Sequence, residues 1–187
     1  MTKKALLLLA EGAEEMEAVI TIDVLRRGNV EVTVAGLTGG APVKCSRSVV
    51  ICPDMGFEDA LKAAPYDAVV LPGGLKGAES LAASAAVGKL LKEQEAGGGI
   101  CAAICAAPIA FKSHQIAKNK TLTSHPVVKD QIAGAGYTYS EDRVVQDGKI
   151  VTSRGPGTAF EFALKLVEIL QGAEKKNEIV PPMLVNL

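Results

Sequence analysis

Four cysteines, two histidines and a run of glutamates are the groups with which this 187-residue chain could do covalent or acid–base chemistry. Cys105 has the most informative surroundings, in Ala103-Ile104-Cys105-Ala106-Ala107-Pro108. An apolar run stops, a cysteine follows, and small residues with an early proline open a helix. Proline suits a first helical turn because the amide there lacks an intrahelical partner. The pattern is that of a nucleophile elbow carrying cysteine in place of serine. Free amides and the positive helix end are expected to favour the thiolate and lower the thiol pKa. Cys101, inside the preceding strand, reads instead as a small buried hydrophobe.

A second turn, Pro72-Gly73-Gly74, lets backbone amides approach a ligand closely. With the Ala106 amide it would make an oxyanion hole. Among Glu11, Glu14, Glu15 and Glu17, helical phase singles out Glu17. Met16, Val19, Ile20 and Val24 form one apolar arc, and Ala18, Ile22 and Leu25 another, so this helix is expected to bury two faces. Glu17 lies ~20° from Val24, at the margin of the first arc. A carboxyl there would be partly desolvated, raising its pKa and letting it donate a hydrogen bond to a thiolate. The alternative is an exposed glutamate, the commoner fate of that residue. Of the histidines, His114 follows Lys112-Ser113 near a helix end, where a solvated or capping role is expected. His125, in Thr123-Ser124-His125-Pro126, stands at a strand end before a turn and is the better partner for a cysteine. Arg154, in Ser153-Arg154-Gly155-Pro156-Gly157-Thr158, reads as a tight lead-in to the last helix, because no phosphate-loop Lys-Ser/Thr follows.

The spacings of Cys45, Cys52, Cys101 and Cys105 match no zinc pattern, so no metal site is expected. Lys3-Lys4 and the apolar run to Ala10 mimic a signal peptide. The run is too short and meets Glu11, Glu14 and Glu15, so a buried first strand is expected, with reduced thiols in an intracellular, soluble protein. Lys and Arg total 20 against 21 Asp and Glu, a net charge of −1. No basic block interleaved with aromatics suggests sequence-specific nucleic-acid binding, and no run approaches a membrane span.

The elements that must position these residues alternate along the chain. Strands are expected at Lys4–Ala10, Val30–Ala35, Tyr66–Leu71 and Ile100–Ile104, with Val43–Cys52 extended. Helices are expected at Glu15–Arg27, Phe57–Ala63, Ala83–Ala96 and Gly157–Gln171, the last closed by Gly172 and read as the final clear helix. Arg143–Gln146 and Lys149–Ser153 flank Asp147-Gly148, a type I′ hairpin signal. Strand–helix alternation implies an α/β fold: one domain over residues 1–187, a flavodoxin-like doubly wound sandwich with a mostly parallel central sheet. Sites in such sheets lie beyond the carboxyl ends of the strands, here the turns after Ala10, Leu71 and Ile104.

The segments Ala13-Glu14-Glu15-Met16-Glu17, Val70-Leu71-Pro72-Gly73-Gly74, Ala102-Ala103-Ile104-Cys105-Ala106, His125-Pro126 and Thr152-Ser153-Arg154-Gly155-Pro156-Gly157-Thr158 occur in one order over essentially the whole chain. In them the sequence resembles the ThiJ/PfpI superfamily, and within it the parkinsonism-associated deglycase branch. The resemblance implies that Cys105 is the nucleophile, Glu17 its protonated partner and His125 a third member, with Gly73, Gly74 and Ala106 around the oxyanion. It also implies a homodimer through the first helix, Cys45 and Cys52 as secondary oxidisable thiols, and Arg47 close to the site. A cytoplasmic location, with nucleus and mitochondria as further compartments, is implied in the same way. Two departures stand out: Ala107 where many members have glycine, and Gly28-Asn29 in place of Ala-Gly.

Two activities follow from the resemblance. One is a cofactor-independent glyoxalase or deglycase acting on methylglyoxal, glyoxal and their early adducts on proteins and nucleotides. The other is a non-enzymatic redox sensor and redox-sensitive chaperone, in which Cys105 becomes a sulfinate held by Glu17 and backbone amides. A triad glutaminase fits less well, because His125 is followed by Pro126 and Val127 rather than by a glutamate two residues on.

Overall fold

The computed structural model describes residues 2–186. Along the chain, β1 (Lys4–Leu9), α1 (Glu15–Arg27), β2 (Glu31–Gly36), β3 (Val43–Lys44), β4 (Val50–Ile51), β5 (Met55–Gly56), α2 (Phe57–Lys62) and β6 (Ala68–Leu71) come first. There follow α3 (Leu75–Ala83), α4 (Ala85–Ala96), β7 (Ile100–Ile104), α5 (Pro108–His114), β8 (Thr121–Leu122), α6 (Lys129–Ala133) and β9 (Thr138–Tyr139). The chain closes with β10 (Val144–Asp147), β11 (Ile150–Ser153), α7 (Ala159–Gln171) and α8 (Ala173–Ile179).

The main sheet has seven strands in the order β10-β11-β7-β6-β1-β2-β5. Every pairing in it is parallel except β10 with β11. Its five central strands therefore run second, first, third, fourth and fifth, the flavodoxin-like order. The chain's winding reverses between β1 and β6, and the crevice above that switch point is where such folds place a ligand. Residues Ala5–Leu9 of β1 are completely buried, as expected of a strand covered by helices on both faces. One helical layer holds α1 packed on α7; the other holds α3 and α4 with α5.

The sequence reading is corrected at four places. The helix expected over Ala83–Ala96 is present as α4, but a separate helix, α3, precedes it where none was expected; Ser84 ends α3, and its hydroxyl caps α4 by accepting the Val87 amide at 3.3 Å. The hairpin loop is Gly148-Lys149 rather than Asp147-Gly148, since Asp147 pairs with Ile150. Only Gly148 has positive φ, the pattern of a type II′ turn. Val43–Cys52 is not one extended segment but an antiparallel hairpin outside the main sheet, turning at Cys45–Ser48. Finally, Gly172 does close α7, with φ of 92°, but a polar helix, α8, follows it.

His114 is a packing residue. Its Nε2 lies 2.9 Å from the Leu81 carbonyl, and its ring is pressed on Gly88, where a Cβ would come within 2.4 Å of Nδ1. Gly28, one of the two departures noted in the sequence, serves the α1–α7 contact in the same way. A Cβ there would sit 2.7 and 2.8 Å from the two Val167 methyls. Asn29 beside it takes the left-handed conformation, φ 59°, which asparagine tolerates better than most residues. Because a β-branched valine cannot swing away, Gly28→Ala is expected to destabilise the fold by about 1–3 kcal/mol. Adding Val167→Ala should recover part of that loss in urea denaturation; two independent, additive losses would refute this reading of the contact.

Candidate active site

The turns after β1, β6 and β7 meet above the switch point. Two backbone hydrogen bonds tie the first to the β3–β4 hairpin, Gly12 N–H donating to Lys44 O at 2.9 Å and Ser46 N–H to Ala13 O at 2.8 Å, and a third ties it to the second, Glu14 N–H donating to Gly73 O at 2.8 Å. The glycines are required by space. Gly74 has φ of 85°, and a Cβ on it would lie 2.2 Å from Gly12 O. A Cβ on Gly73 would lie 2.5 Å from the Cys105 Cβ and 2.6 Å from Glu17 Oε2, so the backbone at 73 is wedged between these two side chains.

Cys105 itself has φ of 66°, a left-handed conformation that costs a non-glycine residue about 1–3 kcal/mol. The turn is held from both sides, with the Cys105 amide donating to Ser153 O at 3.0 Å and its carbonyl accepting from His125 N–H at 2.8 Å. This is the strained strand-to-helix elbow that the sequence pattern suggested.

Glu17 is fully buried, further in than its place at the margin of an apolar arc indicated. Glu14 begins α1 and accepts the Glu17 amide at 2.8 Å, which sets the direction of the first turn. The Glu17 carboxyl then receives one backbone hydrogen bond, from Gly73 N–H to Oε2 at 2.7 Å, while Oε1 has no partner among the described residues other than the neighbouring thiol. Burial pushes this carboxyl up to about 7, against the pull of the Gly73 amide and the Cys105 thiol. Glu15, two residues away and also buried, goes the other way. Burial raises it too, but its own backbone, the Ser46 hydroxyl and the Arg47 amide, the latter two each at 2.7 Å, hold it below the usual carboxylate range. Two adjacent carboxyls are thus divided, one kept anionic and one kept able to hold a proton.

The thiol does not follow the expected direction. Cys105 is only 9 % exposed; burial, then the Glu17 charge, pushes its thiol up to about 12, while the Gly74 and Ala106 amides pull it down. The expectation of a lowered pKa treated the first helical turn as open to water. In the folded chain the turn is roofed by Gly73 and Glu17. Thiol and carboxyl compete for one proton, and a proton on Glu17 removes the charge that opposes the thiolate and supplies a donor to it. The two amides directed at the sulfur belong to Gly74 and Ala106; that of Gly73 is spent on Glu17.

His125 joins the site through its backbone. Its Nδ1 accepts the Val127 amide at 3.2 Å. Arg47 sits exposed on the β3–β4 turn, its amide bonded to Glu15 and its guanidinium to Ser46 O, and lines a 420 Å³ hollow with Glu11, Lys44, Cys45 and Lys76. Cys45 is buried, its thiol pushed up to about 11 by burial and the charges of Glu15 and Glu14. Cys101 is buried in β7 and pushed up to about 12 by burial and Glu95. Cys52 is exposed, and all four cysteines are free. Among the described residues no three His, Cys, Asp or Glu side chains gather as metal ligands would.

Comparison with known proteins gives this arrangement its context. The DJ-1/PfpI family matches residues 3–169. The chain belongs to that family. It is 56% identical over 184 residues to a Parkinson disease protein 7 homolog of Danio rerio, covering 98% of this chain and 97% of the relative. It is 44% identical over 182 residues to the glutathione-independent glyoxalase DJR-1.2 of Caenorhabditis elegans, covering 97% and 96%. The crystal structure of Drosophila melanogaster DJ-1beta superposes over 100% of both chains with a TM-score of 0.97 at 52% identity.

Within this DJ-1/PfpI chain, sequence reasoning missed three supporting residues. Gly77 lets α3 lie against Ala13, where a Cβ would be 2.9 Å from the Ala13 amide; the spacing Gly74-x-x-Gly77 was its signal. Ser153 anchors the Cys105 amide, and Glu14 caps α1 with a side chain seldom used for that purpose. The Glu17 shift has a consequence for stability. The folded carboxyl holds its proton above the ordinary glutamate value of 4.5 and up to about 7. Its contribution to stability is therefore full below about pH 4.5 and is lost as pH rises through about 7. Glu17→Gln should remove roughly 3 kcal/mol of that fall between about pH 5 and about pH 8. Urea denaturation at the two pH values checks it, and an unchanged pH dependence would contradict the buried-acid assignment.

Proposed function

We propose that this protein is a glyoxalase, converting 2-oxoaldehydes such as methylglyoxal or glyoxal, and their early adducts on proteins and nucleotides, to hydroxy acids through Cys105. What carries the reading is the fully buried Glu17, placed across Gly73 from the Cys105 turn and able to keep a proton near neutrality. The similarity to a relative named as a glutathione-independent glyoxalase agrees with it.

The steps balance without an oxidant, a metal or an organic cofactor. With the proton on Glu17, the Cys105 thiolate adds to the aldehyde carbon of methylglyoxal, and the new alkoxide faces the Gly74 and Ala106 amides. Glu17 supplies the proton that completes the hemithioacetal. Transfer of the hydrogen on the former aldehyde carbon to the neighbouring carbonyl carbon, as a proton through an enediol, gives a lactoyl thioester; Glu17 and His125 move the protons. Water then cleaves the C–S bond, releasing lactate and restoring the thiol. The sum is methylglyoxal plus water to lactate.

The same amides and carboxyl would hold the oxygens of a Cys105 sulfinate, so a redox-sensing and chaperone role is the second reading. Met16 and Val19 of α1 are 53% and 48% exposed, an apolar face that favours a homodimer through this helix. Reduced, unpaired cysteines favour a cytoplasmic location; among the described residues no helix is long and apolar enough to cross a membrane.

Lactate formation from methylglyoxal by rigorously purified protein tests the enzymatic reading. Cys105→Ser should abolish turnover, and Glu17→Gln should lower kcat/KM on the order of 100-fold. Wild-type turnover no greater than that of Cys105→Ser would overturn it and leave the redox reading.

A further inference from the structure

β11 runs beside β7 with Ser153 opposite Ile104. Arg154 and Cys105 each follow directly on that last pair, and the Cys105 amide donates to Ser153 O at 3.0 Å, which ties the two turns together. Arg154 and His125 line one depression of 340 Å³, with Pro126, Arg143, Gly155 and Pro156 around it. Its walls stay low because Gly155 carries no side chain; a Cβ there would touch the His125 Cδ2 at 3.5 Å.

The charges around this depression are unequally committed. Arg143 is spent, with Nε 2.6 Å from Glu161 Oε1 and Nη2 bonded to Glu161 Oε2 and Gly157 O. Glu141 is paired with Lys129 at 2.6 Å, and the Arg154 charge adds a weaker attraction without a direct contact between the side chains. Arg154 has only two long bonds to neutral acceptors, Nε to Ser124 O and Nη1 to Glu141 O, each 3.3 Å. Among the described residues no carboxylate forms a salt bridge with it. A partly buried guanidinium fixed by carbonyls and left with an unused Nη2 is shaped to receive an oxyanion.

We propose that Arg154, with His125 beside it, forms an anion-recognising subsite next to Cys105, selecting 2-oxoaldehydes and adducts that carry a carboxylate or phosphate. This rests on the glyoxalase reading for its substrate class, but the recognition itself does not depend on turnover. Arg154 acts by binding the remote anion and so lowers KM for charged substrates; it takes no part in the covalent steps.

Two alkylating reagents of similar shape and different charge read the subsite directly. The rates of Cys105 modification by iodoacetate and by iodoacetamide are followed by peptide-resolved mass spectrometry, which keeps the exposed Cys52 from obscuring them. Arg154→Gln should lower the iodoacetate-to-iodoacetamide rate ratio at Cys105 roughly fivefold, and Arg154→Lys should keep part of it. Inorganic phosphate should slow alkylation of the wild type more than that of Arg154→Gln. In turnover, Arg154→Gln should raise KM for a phosphate-bearing 2-oxoaldehyde while leaving methylglyoxal kinetics near wild type. A folded Arg154→Gln with an unchanged reagent ratio would overturn the proposal. Should that variant fail to fold, absence of phosphate protection in the wild type would overturn it instead. If methylglyoxal is not turned over but the reagent ratio falls, the glyoxalase reading fails and the anion subsite stands.

Discussion

A carboxyl group sealed from water beside a thiol, with one backbone amide as its hydrogen-bonding partner, is the constraint on which the rest of this structure depends. Glu17 can occupy that place only because Gly73 leaves room between it and Cys105. Gly73 can be there only because Gly74 turns the chain with positive φ under the Gly12 carbonyl. The α1 helix in turn must enter at one angle, which the Glu14 cap and the bond from Glu14 N–H to Gly73 O define. The cost of burying an ionisable group is lowered by keeping it neutral, and burial holds this carboxyl's proton up to about 7.

The electrostatics of the site follow from sealing rather than from helix-end fields. Burial first, and a nearby carboxylate second, raises each enclosed thiol, Cys45, Cys101 and Cys105 alike. What distinguishes them is company. Cys101 faces the Leu91 carbonyl inside the sheet, an acceptor that offers the sulfur no stabilisation as an anion. Cys105 faces two amides and a carboxyl that can carry the proton. The sulfur and the carboxyl thus face each other across one shared proton.

Much of this was legible in the sequence because the relevant signals are local. The bounds of α1 and of β7, the elbow at Cys105, and the turn glycines 73 and 74 all follow from short patterns of apolar, small and β-branched residues. The flavodoxin-like order follows from strand–helix alternation. What was not legible depends on contacts distant in sequence. The full burial of Glu17 comes from a loop 56 residues away. The direction of the thiol shift comes from that same roof. Arg154 read as a lead-in to a helix because nothing nearby in sequence shows that Glu141 and Glu161 are committed to other cations. The β3–β4 hairpin was blurred by its two-residue strands, too short to show alternation, and α8 by its lack of an apolar face.

The most direct test of the central claim is the titration of Glu17 itself. Carbon-detected NMR of protein labelled at the glutamate carboxyls, with Glu17→Gln supplying the assignment, follows that one group through the neutral range. A carboxyl sealed from water is expected to give a midpoint near 7. A midpoint near 4.5, the ordinary value for a solvated glutamate, would show that the carboxyl is not sealed and would contradict the account.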